Sequence, residues 1–128
     1  MALKVAIIED DPQIRNVVSV CFELCWPEVS VVSAPNGGEG VELVKTESPD
    51  AVILDIGLPD MDGFEVLDRI RRFSSVPVII CTVRSDEPDE LRGLGLGADD
   101  YISKPFDHRE LIARVKKVLS RTPLSVNK

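Results

Sequence analysis

The sequence has a single histidine, a single tryptophan and a single tyrosine, and its three cysteines are an odd number. A metal centre of Cys and His is not expected, because the single His108 stands far along the chain from Cys21, Cys25 and Cys81. Cys21 and Cys25 fall within a helical pattern and Cys81 ends an apolar run, so all three are expected as buried thiols in a reducing compartment. Positive charge is also short. Fifteen Lys and Arg against twenty-two Asp and Glu leave a net charge of −7, so this segment is not expected to bind nucleic acid directly. No apolar run, such as Val5 to Ile8 or Val76 to Cys81, approaches the ~20 residues that cross a bilayer. The opening Met1-Ala2-Leu3-Lys4 lacks signal-peptide architecture. The expectation is a cytoplasmic protein without a membrane partner. What is present, 128 residues with 44% hydrophobic and 29% charged, suits one compact core.

Short runs rich in Val and Ile alternate with stretches of helical periodicity five times along the chain. The expected strands are Lys4 to Ile8, Val29 to Ser33, Ala51 to Leu54, Val76 to Cys81 and Tyr101 to Ser103. The first, third and fourth are apolar on successive residues, as strands covered on both faces must be, so the sheet is expected to be mostly parallel. The first helix carries Ile14, Val17, Val18, Cys21, Phe22 and Cys25 as one core stripe, with Pro12 suited to its first turn. Further helices are expected from about Gly38 to Thr46, Phe64 to Arg72 and Pro88 to Leu96. A last one is started by Asp107 with Glu110 at capping-box spacing. After Arg121 periodicity is lost, which marks the tail 122–128 as a frayed end or the start of a linker.

In an open parallel sheet, ligands bind beyond the carboxyl ends of the strands. Glu9-Asp10-Asp11 follow the first strand, Asp55 the third, Thr82 the fourth and Lys104 the fifth, so these groups converge on one rim. Two carboxylates ~4 Å apart repel by roughly 4 kcal/mol at an effective dielectric of about 20. A hard cation offsets such a cluster, and oxygen donors without His or thiolate favour Mg²⁺. With a lysine and a hydroxyl beside it, the site suits a phosphoryl group accepted by Asp55 as a nucleophilic carboxylate. Each residue alone has a commoner use: an Asp at a strand end caps or turns, Thr82 alone caps a helix, and a lone lysine is solvated. Their joint position outweighs those uses.

The residues Ile8-Glu9-Asp10-Asp11, Asp55-Ile56-Gly57-Leu58-Pro59-Asp60-Met61-Asp62-Gly63, Thr82 and Gly97-Ala98-Asp99-Asp100-Tyr101-Ile102-Ser103-Lys104-Pro105-Phe106 resemble the receiver domain of two-component response regulators over nearly the whole chain. The resemblance implies a flavodoxin-like, doubly wound α/β fold: a five-stranded parallel sheet in the order 2-1-3-4-5 with five helices, a receiver over 1–121 and a tail or linker over 122–128. It implies that Asp55 accepts a phosphoryl group from a histidine kinase, and that Asp10, Asp11, Asp55 and the Gly57 carbonyl hold Mg²⁺. It also implies that Thr82 and Tyr101 form a switch pair, that Lys104 contacts the phosphoryl group, and that the Lys104-Pro105 bond is cis. Such a protein is not a metabolic enzyme; it acts on its own phosphorylation state.

The ending Lys-Pro-Phe-Asp followed by Glu110 to Arg114 is most similar to the branch whose receivers precede a winged-helix domain and dimerise through the fourth helix, fifth strand and fifth helix. Here Glu90 would oppose Glu110 across that dimer, where the branch usually pairs a lysine with an acid. A freestanding receiver acting by protein interaction is an alternative, as is a Mg²⁺-dependent phosphohydrolase with Asp55 as nucleophile. Gly93 and Gly95 should soften the fourth helix, each costing roughly 1 kcal/mol against alanine. Asp60-Met61-Asp62 falls in the loop after Asp55 and is read as loop, with Asp62-Gly63 turning into a helix.

Overall fold

In a computed structural model, residues 3–83 and 87–120 are described; the tail expected at 122–128 lies outside them. Five parallel strands, β1 (Leu3–Ile8), β2 (Val29–Ala34), β3 (Ala51–Leu54), β4 (Val78–Thr82) and β5 (Asp100–Ser103), form one sheet in the order β2-β1-β3-β4-β5. The helices α1 (Pro12–Cys25), α2 (Gly37–Glu47), α3 (Gly63–Arg71), α4 (Glu87–Gly95) and α5 (His108–Ser120) connect them. This is the doubly wound, flavodoxin-like order expected from the sequence.

Successive residues of the central strands point to opposite cores, which is why those strands are apolar throughout. Ala6, Ile8, Val52, Leu54, Val78 and Ile80 pack with α2 and α3, whereas Val5, Ile7, Ile53, Ile79 and Cys81 pack with α1 and α5. The edge strands β2 and β5 are only partly buried. Strand β4 begins at Val78 rather than Val76, because Pro77 has no N–H to give the ladder. Its carbonyl still accepts from Val52 N at 2.8 Å.

Short polar side chains start the helices. Asp11, Asn36 and Asp62 accept from Gln13 N, Glu39 N and Phe64 N, while Asp107 accepts from Arg109 N at 2.8 Å. Glu110 makes an ion pair with Arg114 at 3.0 Å. The apolar stripe of α1 is narrower than its sequence pattern. Val18, Cys21 and Phe22 are buried, but Val17 is 54% exposed and Cys25 is exposed. Val17 sits a full 100° around the helix from Val18. Cys25 shares the buried angle but is the last helical residue, and Trp26 instead stacks on Phe22, with ring centroids 6.4 Å apart. The expectation of a buried Cys25 thiol is therefore corrected.

Candidate functional site

The carboxyl ends of β1, β3, β4 and β5 bring the candidate residues to one rim. Parallel pairing sets Ile8 beside Leu54 and Thr82 beside Ser103, so the residues that follow these positions are neighbours in space. Asp55 N donates to Ile8 O at 3.0 Å, and Lys104 N donates to Thr82 O at 2.8 Å. Backbone ladders thus position the phosphoacceptor candidate and its lysine before any side-chain contact is counted.

Glu9, Asp10 and Asp55 each offer a carboxylate oxygen, all within 4.8 Å of one another. Glu9 and Asp55 are buried and Asp10 is exposed, so the cluster has a closed floor and an open side. At that separation each ionised pair repels by roughly 3–4 kcal/mol for an effective dielectric of about 20. Lys104 Nζ lies 2.5 Å from Glu9 Oε1 and 3.6 Å from Asp55 Oδ2 and offsets part of this repulsion. Three carboxylates and one ammonium leave two negative charges, and the donors are all hard oxygens. Both features fit a divalent cation such as Mg²⁺.

Burial pushes the Glu9 carboxyl above its ordinary value, against the opposing hydrogen bond from Lys104. Burial works to lower the Lys104 pKa, but the Glu9 hydrogen bond and the nearby Asp55 charge outweigh it, and the ammonium is held above its ordinary value. A lysine between two carboxylates stays charged.

Asp11 takes a different position from Asp10. Its Oδ1 accepts from Gln13 N at 2.9 Å and caps α1, so the acids that converge with Asp55 are Glu9 and Asp10. The sequence alone makes Glu9, Asp10 and Asp11 equivalent members of a run. What separates them is Pro12 at the helix start, which makes Asp11 the cap. Nothing in the sequence marks Arg15, yet its Nη1 donates to Glu9 O at 2.7 Å and braces the β1–α1 turn.

Gly57 N donates to Asp55 Oδ1 at 3.2 Å, placing its backbone beside the acceptor carboxylate. Thr82 is fully buried at the end of β4. Tyr101 is 8% exposed, in the core cluster that contains Phe64, Ile80 and Ala98. The Lys104-Pro105 bond is cis. No helix among the described residues is long and apolar enough to cross a membrane.

Residues 5–116 match the family described as the response regulator receiver domain. A CheY-like receiver domain protein from Methanospirillum hungatei is 28% identical, with a TM-score of 0.88 over 94% of this chain and 95% of that one. The receiver domain of a Francisella response regulator is 32% identical, with a TM-score of 0.86 over 93% and 98%. The BeF3-activated N-terminal receiver domain of Klebsiella pneumoniae RstA is 31% identical, with a TM-score of 0.84 over 93% and 99%. With the family matched over most of its length and the acid rim formed on the expected sheet, the chain belongs to the response regulator receiver domain family.

Proposed function

We propose that the chain is a phosphorylation-operated signalling switch in which Asp55 accepts a phosphoryl group from a histidine kinase. The observation that carries this reading is the meeting of Asp55 with Lys104, Glu9 and Asp10 at the carboxyl edge of the sheet. In the transfer, an Asp55 carboxylate oxygen forms a bond to phosphorus as the bond from phosphorus to the donor imidazole nitrogen breaks. The electron pair leaves with the imidazole, which takes a proton from water. Lys104 supplies fixed positive charge to the phosphoryl oxygens. Mg²⁺, when bound, neutralises charge on the acids and on the group in transit.

The proposed ion site comprises Asp10, Asp55 and the Gly57 carbonyl, with Glu9 alongside; Asp11, expected in the same set, caps α1 through Gln13 N. Thr82 and Tyr101 are the proposed switch pair. The phosphoryl group adds negative charge and acceptor oxygens that reward a Thr82 hydroxyl drawn toward it, and the packing around Tyr101 follows. Making a minor active state dominant takes a preference of several kcal/mol, within reach of new charge-assisted hydrogen bonds.

In this reading the receiver spans 1–121, and 122–128 is a tail or linker. Similarity to the N-terminal receiver domain of RstA supports a place ahead of such a domain, with transcriptional control through a winged helix as the finer expectation. A freestanding cytoplasmic receiver is the alternative. The dimer face proposed is α4, β5 and α5, where Leu91 and Leu94 are 61% and 41% exposed. Glu90 and Glu110 add like charge there, and Arg114 is already engaged by Asp100 and Glu110 within the chain.

The test is incubation with acetyl phosphate and Mg²⁺ followed by intact-mass measurement. One phosphoryl adduct on the native chain and none on Asp55→Asn is expected. Catalytic turnover of a phosphomonoester would favour the phosphohydrolase instead.

A further inference from the structure

The segment 57–62 that follows β3 is tied down at more points than a connecting loop needs. Gly57 N holds Asp55 Oδ1 at 3.2 Å, and Asp62 caps α3 through Phe64 N at 2.8 Å. Between them, Asp60 reaches across to α2. Its Oδ1 accepts from Gly37 N at 2.8 Å and its Oδ2 from Gly38 N at 2.9 Å. A carboxylate spread over two amides at a helix N-terminus is a charge-assisted contact, favoured again by the helix dipole. These two hydrogen bonds hold the Asp60 carboxyl below its ordinary value.

Helix α2 already has a cap of its own. Asn36 Oδ1 accepts from Glu39 N at 2.9 Å, and Gly40 N donates to Asn36 O at 2.9 Å. A second cap supplied from twenty-two and twenty-three residues away therefore does more for the loop than for the helix. The fit is close. A Cβ on Gly37 would lie 2.6 Å from Met61 Cγ and 2.8 Å from Val66 Cγ2, so the loop seats directly on the glycine. The loop also folds back on the strand end, because Gly63 N donates to Ile56 O at 3.0 Å.

We infer that Asp60 is a positioning residue for the phosphoryl site: clamped by the Gly37 and Gly38 amides, its carboxylate holds the 57–62 loop so that Gly57 stays against Asp55. This rests on the reading of Asp55 as the phosphoacceptor with an ion beside it. Supporting residues of this kind change metal affinity by about 10- to 100-fold when removed. Asp60 acts through one loop contact, so the lower end applies.

The experiment compares native chain, Asp60→Ala and Asp60→Asn by calorimetric titration with Mg²⁺ and by acetyl phosphate uptake across Mg²⁺ concentrations. Asp60→Ala is expected to weaken Mg²⁺ binding by about tenfold, the lower end of the range for supporting residues. Uptake at saturating Mg²⁺ should stay near native. Asp60→Asn keeps one carbonyl acceptor and should fall between; it also keeps the test available if the alanine variant unfolds. Native Mg²⁺ affinity in both variants overturns the inference while leaving the receiver reading intact. Uptake lowered at saturating Mg²⁺ with affinity unchanged overturns it as well. A native chain that binds no Mg²⁺ and takes up no phosphoryl group overturns both.

Discussion

Lys104 and Glu9 form the tightest ion pair of the acid rim, with Nζ 2.5 Å from Oε1, while the same ammonium stands 3.6 Å from Asp55. The lysine is thus shared between a carboxylate that anchors it and one that is to receive the phosphoryl group. It also occupies the charge environment that a divalent ion would enter.

Removing that ammonium should separate its two effects. Lys104→Ala leaves Glu9 and Asp55 without their common partner, which destabilises the metal-free protein. The same change makes the cluster more negative, so Mg²⁺ should bind several-fold more tightly and restore much of the lost thermal stability by mass action. Phosphoryl uptake should fall by about 100-fold or more, as for loss of one charge-stabilising donor. Calorimetric titration and thermal unfolding with and without Mg²⁺ check this; Mg²⁺ affinity equal to or below native would contradict it.

The two glycines within α4 should respond in opposite senses. A Cβ on Gly95 meets nothing within 4 Å, whereas a Cβ on Gly93 would lie 2.6 Å from Ile80 Cδ1 and 3.3 Å from Phe64 Cε1. Gly95→Ala should stabilise by up to about 0.5–1 kcal/mol, the helix-propensity gain, less what end fraying returns. Gly93→Ala should lose more than that gain, because the buried Ile80 side chain must give way beneath α4. Denaturant unfolding measures both, and amide exchange in α4 should be faster than in α1 or α5 and slow in Gly95→Ala.

The cysteines should differ sharply in reactivity. Burial pushes the Cys81 thiol up to about 12 and raises that of Cys21 as well, while Cys25 is exposed. The thiolate is the reactive form, so one of three thiols should react with a disulfide reagent near pH 8 in the native protein. Cys25→Ser should abolish that reaction, and denaturant should release the remaining thiols.

Several of these contrasts lay beyond the sequence for physical reasons. The helix positions to within a residue or two and the convergence of Asp55, Thr82 and Lys104 follow from apolar runs and from the residues at their ends, whereas the strand order follows only from the family resemblance. The division of labour among Glu9, Asp10 and Asp11 does not, because adjacent acids are chemically alike until a helix start claims one of them. Val17 and Cys25 fall outside the core although their spacing fits it, because helical spacing gives an angle but neither the width of the buried stripe nor the end of the sheet beneath it. Asp60 looked like an ordinary loop acid, since its partners Gly37 and Gly38 are brought to it only by tertiary folding.

Asp60 also makes stability depend on pH. Its folded-state carboxyl titrates below the ordinary 3.8, because the Gly37 and Gly38 amides hydrogen-bond the charged form. The unfolded chain therefore binds more protons in that window, and stability rises with pH through it. The contribution is complete above the ordinary aspartate range and is lost as pH falls through the lowered value. The stability gap between native chain and Asp60→Asn should close on acidification, and the Gly37 and Gly38 amide resonances should titrate with the Asp60 carboxyl.

In the proposed reading, the rim grips a phosphoryl group on Asp55 with the help of a divalent ion and Lys104. Fluorine NMR of the protein with beryllofluoride, a mimic of the bound phosphoryl group, tests it most directly. Protein-bound fluorine resonances that require Mg²⁺ and vanish in Asp55→Asn are expected. Bound resonances that persist in Asp55→Asn, or none in the native chain with Mg²⁺ present, would contradict it.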